Sequence, residues 1–504
     1  MKMIWKRVCW MVLALALPTV VCRAVSPSPN IVILYADDMG YGDLAVQNPG
    51  SKIPTPHLDR LATEGTRFTD AHSSSGICSP SRYALLTGRY HWRKFHNIVG
   101  VFGPPSFDAA ELTLPEMLNA AGYETACIGK WHLGWDWDAI KRADAKPQPI
   151  PGRGASAYAP GDFDWTAKIP GGPLSHGFNS YFGDDVPNFP PYAWIENDRV
   201  VTPPTAPLIE TPKTAEGSWE ARPGPMVPGW KLDAVMPALT RRSVEWIRGR
   251  KGNSKPFFLY FPFTSPHAPI VPVGEFFGKS KAGGYGDYMA QTDDTVGQVL
   301  GALRENGFEQ NTLVIFTSDN GPERYAYDRI RKFDHRSTGV FRGLKRDIWD
   351  GGHRVPFLVR WPGVVAANRV SSALISQIDL MGTISEIVGF ELPADSAHDS
   401  HSLLSLFKGG TVSPRVSHVH NTYKDHYAIR HGNWVLIDAP SGAVSRVPDW
   451  FDAANGYEKN NEAGALYDLS SDLPQRHNLF ARHPEKVREL QDRLAAIRAH
   501  GEVR

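Results

Sequence analysis

Five short runs of nearly uninterrupted β-branched and aromatic residues constrain this chain most. They are Asn30–Ala36, Thr125–Ile128, Phe257–Phe263, Thr312–Thr317 and Phe357–Arg360. A strand with one face in water alternates apolar and polar residues. Strands as continuously apolar as these need cover on both faces, as in a sheet held between helices. Helical patterns stand between them at Pro56–Glu64, Leu114–Ala121, Tyr288–Glu305 and Leu380–Val388. In the third, Met289, Val296, Val299, Leu300 and Leu303 share one helical face. The alternation predicts an α/β sandwich with a mostly parallel central sheet. From about residue 410 the pattern changes. Tyr427–Arg430, Trp434–Ile437 and Ala465–Tyr467 predict a small antiparallel sheet, and Glu485–His500 a terminal helix. The expected division is a catalytic domain over 25–409 and a C-terminal subdomain over 410–504.

Open α/β sheets collect ligands beyond the carboxyl ends of their strands. The residues following these runs are Asp37-Asp38, Lys130, His267 and Asp319-Asn320. Asp37, Asp38, Asp319 and Asn320 offer three carboxylates and one amide oxygen. Such hard donors suit Ca²⁺ or Mg²⁺. The competing reading of Asp37-Asp38 alone is that adjacent acids cap the next element. Cys78 precedes Pro80 and a run of helix formers, which places it at a helix N-terminus where free N–H groups favour anions.

The formal net charge of +1, with 42% hydrophobic and 21% charged residues, gives no argument for nucleic-acid binding. Residues 1–24 read as a secretory signal. Lys2, Lys6 and Arg7 open it, Met11–Leu17 is an apolar core too short to span a bilayer, and Cys22-Arg23-Ala24 is a small-residue exit. Export to the periplasm or beyond is expected, with lipoprotein anchoring at Cys22 the alternative. No later apolar run is long enough to span a membrane. That leaves Cys78 and Cys127 in the mature chain. A disulfide between them is one reading; for Cys127, inside an apolar run, a buried free thiol is the other.

The run Cys78-Ser-Pro-Ser-Arg82, followed by Tyr83–Arg89, resembles the signature of the type I sulfatases, members of the alkaline phosphatase superfamily. In that family the cysteine is oxidised to formylglycine by a formylglycine-generating enzyme. Further segments resemble the family in order: Asp37–Asp43, Gly129-Lys-Trp-His-Leu-Gly134, Ser265-Pro-His-Ala-Pro269, Ser318-Asp-Asn-Gly321, Phe341–Lys345 with Trp349–Pro356, and Leu466–Leu479. One departure is Asp350, where the family usually has Glu; a loop-supporting role is expected there.

The resemblance implies a sulfuric ester hydrolase. Asp37, Asp38, Asp319, Asn320 and an oxygen of the modified Cys78 would hold Ca²⁺. Arg82 would orient the modified side chain, and Lys130 and Lys345 would bind sulfate. His267 would protonate the leaving oxygen, Asp319 would take the nucleophile's proton, and His132 would serve the release of sulfate. Two alternatives remain: a formylglycine-dependent phosphonate monoester or phosphodiester hydrolase, and a glycan-binding paralogue never converted at Cys78. Residues 140–230, rich in Pro, Gly and Trp, read as an insertion shaping the substrate pocket. Its aromatics Trp165, Tyr181, Phe182, Phe189, Tyr192 and Trp194, with Arg89, His91, Arg93 and His96, suit a sulfated carbohydrate. The competing reading puts the aromatics in the core and the cations in solvent.

Overall fold

A computed structural model describes residues 28–150, 155–208, 214–216 and 221–500. The expected signal segment, with Cys9 and Cys22, lies outside the described residues. The central sheet has ten strands. Their order is Arg369–Ser371, Thr66–Phe68, Phe357–Arg360, Thr312–Ser318, Asn30–Ala36, Phe257–Pro262, Glu124–Ile128, Ser180–Gly183, Ile195–Glu196 and Arg199–Val200. The five strands from Thr312–Ser318 to Ser180–Gly183 run parallel, and Phe357–Arg360 joins them antiparallel. The antiparallel strands thus sit toward the edges, around a parallel centre.

The continuous apolar runs are explained by two cores. Ile31, Ile33 and Tyr35 face one, with the helices Cys78–Thr87, Leu114–Ala120 and Asp379–Val388. Val32, Leu34 and Ala36 face the other, with Pro56–Thr63, Val235–Arg248 and Gly283–Glu305. Every residue of Asn30–Ala36 is buried as a result. The Gly283–Glu305 helix starts five residues earlier than its apolar periodicity indicates, because Gly283, Gly284 and Gly286 carry no pattern of their own.

The C-terminal strands Tyr427–His431, Trp434–Asp438 and Ala465–Asp468 form an antiparallel sheet with a fourth strand, Ser417–Asn421, that periodicity does not reveal. The Pro484–His500 helix lays Val487, Leu490, Leu494 and Ile497 on one face of it. Ile348 and Trp349 pack on the other. No helix among the described residues is long and apolar enough to cross a membrane.

Candidate active site

The parallel strands deliver their polar successors to one edge. Asp37 and Asp38 follow Asn30–Ala36, Asp319 and Asn320 follow Thr312–Ser318, and Lys130 follows Glu124–Ile128 across Gly129. Gly129 is required there: its φ is +132°, and a Cβ would stand 2.0 Å from the Pro262 carbonyl oxygen. The neighbouring Lys130 N–H donates to that same oxygen at 2.8 Å, which fixes where the lysine leaves the sheet. Asp38 and His132 adopt left-handed φ values of 64° and 55°, an uncommon backbone region for residues other than glycine.

Cys78 is the first residue of its helix and is fully buried, as is Arg82 one turn on. The Cys78 Sγ lies 3.5 Å from Asp37 Oδ1 and 4.0 Å from Asp38 Oδ1. Both Cys78 and Cys127 are free thiols, so the disulfide reading does not hold. The Lys130 ammonium donates to Asp37 Oδ2 at 2.6 Å, and Lys345 straddles Asp38 at 2.7 and 2.8 Å. Arg82 donates twice to Asp319 Oδ2, whose other oxygen accepts the Asp38 N–H at 3.1 Å. His267 Nε2 is 3.6 Å from Asp38 Oδ2, and its Nδ1 faces the Ala268 carbonyl. His132 Nε2 faces the Val99 carbonyl at 3.0 Å, so Nε2 carries the proton and the buried, unpartnered Nδ1 presents its lone pair.

Three carboxylates, two ammonium groups and one guanidinium thus share a water-poor space, and their ionisation divides accordingly. Burial opposes charge on Asp37, yet Lys130, His267 and Arg82 hold its carboxyl well below the usual range. Burial and the neighbouring Asp37 push Asp319 up to about 7 against the pull of Arg82. Burial, helped by Asp319, also pushes the Cys78 thiol up, away from the thiolate. Burial lowers His267 to about 4.

The arrangement fits a divalent metal ion. Asp37, Asp38, Cys78 and His267 each bring a donor atom within 4.8 Å of the others. Asn320 donates from Nδ2 to Asp38 Oδ1 at 2.7 Å and leaves Oδ1 buried with no hydrogen-bond partner. A buried acceptor left open beside acid groups is what an oxygen-liganded cation satisfies.

Asp38, His132, His267 and Lys345 open into a cleft of about 630 Å³. Its other walls are Asn188, Phe189 and Arg222 from the insertion, Glu323, Arg324, Tyr325 and Arg346, and Ser445 and Arg446 from the C-terminal region. Of the six insertion aromatics named from the sequence, Phe189 lines it, with Arg222 over its ring at 3.9 Å. Trp165, Tyr181 and Tyr192 are buried in the protein, and Phe182 stacks on Trp194. The expectation of a sugar platform is corrected for Trp165, Tyr181 and Tyr192, which are core, and for Phe182 and Trp194, which are half-buried away from the cleft; Phe189 keeps that place. The cations near the signature are likewise engaged elsewhere. Arg89 meets Glu111, Arg93 pairs with Asp399, His91 is buried, and His96 meets Asn421. Asp350 supports its loop, accepting from Arg354 at 3.0 Å.

Comparison with known proteins gives the family. The sulfatase family model matches residues 29–390, and the model of the N-sulphoglucosamine sulphohydrolase C-terminal region matches 339–500. The chain belongs to the sulfatase family and is a sulfuric ester hydrolase. It is 32% identical to N-acetylgalactosamine-6-O-sulfatase of Bacteroides thetaiotaomicron over 94% of both chains. It is 30% identical to mouse steryl-sulfatase, over 94% of this chain and 82% of that one. A solved structure from the glycosaminoglycan-metabolism core locus of Bacteroides thetaiotaomicron superposes with TM-score 0.76 at 30% identity, over 94% of this chain and all of the other.

Proposed function

We propose that the chain hydrolyses sulfate monoesters on an anionic carbohydrate, using formylglycine made from Cys78 beside a bound Ca²⁺. What supports this reading is the placement of Cys78 at 3.5 Å from Asp37, within a cluster that Lys130 and Lys345 enter from other elements. An unconverted thiol pushed up by burial is a poor nucleophile at neutral pH. Converted and hydrated, the side chain would supply one hydroxyl as the oxygen nucleophile and a second whose loss of a proton lets the C=O re-form as the C–O bond to sulfate breaks.

Asp37, Asp38, Asp319 and the open Asn320 Oδ1 would hold the Ca²⁺, which draws charge from the sulfate oxygens. With those carboxylates shared, the Lys130 and Lys345 ammonium groups have charge available for the sulfate. Asp319, its Oδ2 held by two Arg82 nitrogens, is placed to take the nucleophile's proton. His132 Nδ1 is the second base, its tautomer fixed by Val99. His267 is neutral at rest; an anion bound beside it raises its pKa, so it gains the proton it gives to the leaving oxygen.

Arg222, Arg324, Arg346 and Arg446 rim the cleft. Guanidinium groups suit the carboxylates and sulfates of a glycan chain better than a steroid skeleton. The relatives named for N-acetylgalactosamine 6-sulfate agree with that choice. Residues 1–24, read as a secretory signal, would deliver the enzyme to the periplasm or the exterior, where such polymers are met.

The test uses protein co-produced with a formylglycine-generating enzyme. The Cys78 peptide should lose about 18 Da relative to the thiol. The enzyme should turn over an aryl sulfate far faster than an aryl phosphodiester, and Cys78→Ser should abolish multiple turnover. Full activity in a protein whose Cys78 is a plain thiol overturns the reading.

A further inference from the structure

A second set of metal-ligand side chains lies outside the cleft. His72 comes from the strand just before the signature, His353 from the short Asp350–His353 helix, and His418 from the first C-terminal strand. All three are buried, and each brings a ring nitrogen within 4.8 Å of the others. None belongs to the Asp37, Asp38, Cys78 and His267 group.

Hydrogen bonding alone leaves this cluster unsatisfied. Asp70 accepts from His72 Nε2 at 2.8 Å, and Arg354 and Arg430 hold that carboxylate in place. The His72 proton is therefore on Nε2, and its Nδ1 lone pair points at His353 Nδ1, 2.9 Å away. Both ring nitrogens of His418 are buried without a hydrogen-bond partner. The His420 ring stacks on His353 at 3.6 Å between centroids and stands ready as a neighbour. As neutral rings, His72 and His353 satisfy these nitrogens only by sharing one proton, and His418 has no partner at all; a cation between the three rings would satisfy all of them.

We propose that His72, His353 and His418 bind a structural transition-metal ion, Zn²⁺ being the commonest, pinning the C-terminal sheet to the short Ala71–His72 strand and the Asp350–His353 helix. An all-imidazole set selects Zn²⁺ and its neighbours over Ca²⁺ and Mg²⁺, which take oxygen. Two imidazole nitrogens on one tetrahedral Zn²⁺ stand about 3.3 Å apart, close to the spacing of His72 and His353. Asp70 on the far nitrogen of His72 is the carboxylate–histidine partner that fixes tautomer and ring orientation at zinc sites. The fourth position falls to His420 or water.

The test is metal analysis of tag-free protein stripped with a chelator, then dialysed against Zn²⁺ with Ca²⁺ present throughout. Wild type should take up about one Zn²⁺ per chain, and its Tm should rise on Zn²⁺ addition. His418→Gln and His72→Asn should lose the uptake and the Tm response, whereas Asp37→Ala should keep both. Zn²⁺ uptake equal in wild type and the histidine variants, or lost in Asp37→Ala instead, overturns the proposal. Should a variant not fold, Co²⁺ added to stripped wild type decides: intense tetrahedral nitrogen-ligand absorption supports the site, and its absence refutes it.

Discussion

Two nitrogens of Arg82 converge on a single oxygen of Asp319, at 2.9 and 3.1 Å, with both side chains wholly buried. Arg82 also donates to the Lys130 carbonyl at 3.2 Å, so one guanidinium ties the helix of the signature to two strand ends. Removing it leaves a buried acid without its cation. Arg82→Met should therefore destabilise the fold by about 3 kcal/mol in urea denaturation, besides abolishing turnover. Adding Asp319→Asn should recover part of that stability, because the orphaned charge leaves with its partner. A double variant less stable than the single one would contradict the pairing.

Asn320 tests the metal reading through an atom rather than a charge. Its Oδ1 is buried and unpartnered while Nδ2 is engaged by Asp38 and the Gly321 carbonyl. Asn320→Ala should weaken Ca²⁺ binding about 10–100-fold, the range typical when support at a metal site is lost. Calcium titration of chelator-treated protein measures it. Unchanged affinity would move the ion away from this oxygen.

The strand ends are legible in sequence because continuous apolar runs have only one comfortable environment, and whatever follows them emerges at the sheet edge. Asp37, Asp38, Lys130, His267, Asp319 and Asn320 are brought together for that reason. Arg222, Arg346 and Arg446 are not legible: they reach the cleft from three separate loops, and nothing local distinguishes them from surface cations. The strand Ser417–Asn421 escapes because Val419 is its one apolar residue. It is buried through its polar side chains, among histidines contributed by distant segments. Aromatic density in the insertion misleads for a related reason. Composition cannot separate a ring that packs, such as Trp165 or Tyr181, from one that lines a cleft, such as Phe189.

Arg222 provides a substrate test that leaves the reacting centre intact. It lines the cleft from the insertion and rests on Phe189. Contacts made equally in ground and transition states alter KM and spare kcat. Arg222→Ala should raise KM for a sulfated oligosaccharide about tenfold, with kcat nearly unchanged, and should leave hydrolysis of a small aryl sulfate untouched. Equal losses on both substrates would place Arg222 in the catalytic step or the fold.

Acid sensitivity should trace to buried neutral histidines away from the cleft. His176 packs against Phe107 and Trp131, at 4.4 and 6.3 Å between ring centroids, and burial lowers its pKa to about 4. His91 is lowered to about 3, again by burial. In the unfolded chain each titrates near 6.5, at about that value for a free imidazole. Between that pH and the lowered one, the unfolded chain binds a proton that the native state does not. Stability is therefore complete above about pH 6.5 and declines as pH falls, by about 1.4 kcal/mol per unit for each such histidine. His176→Phe keeps the aromatic packing and removes one of these sites. Comparing urea unfolding at pH 7 and pH 5, the variant should lose about 2 kcal/mol less than wild type. Equal losses would mean that His176 does not titrate in this interval in the unfolded chain, or that it is already protonated in the native one.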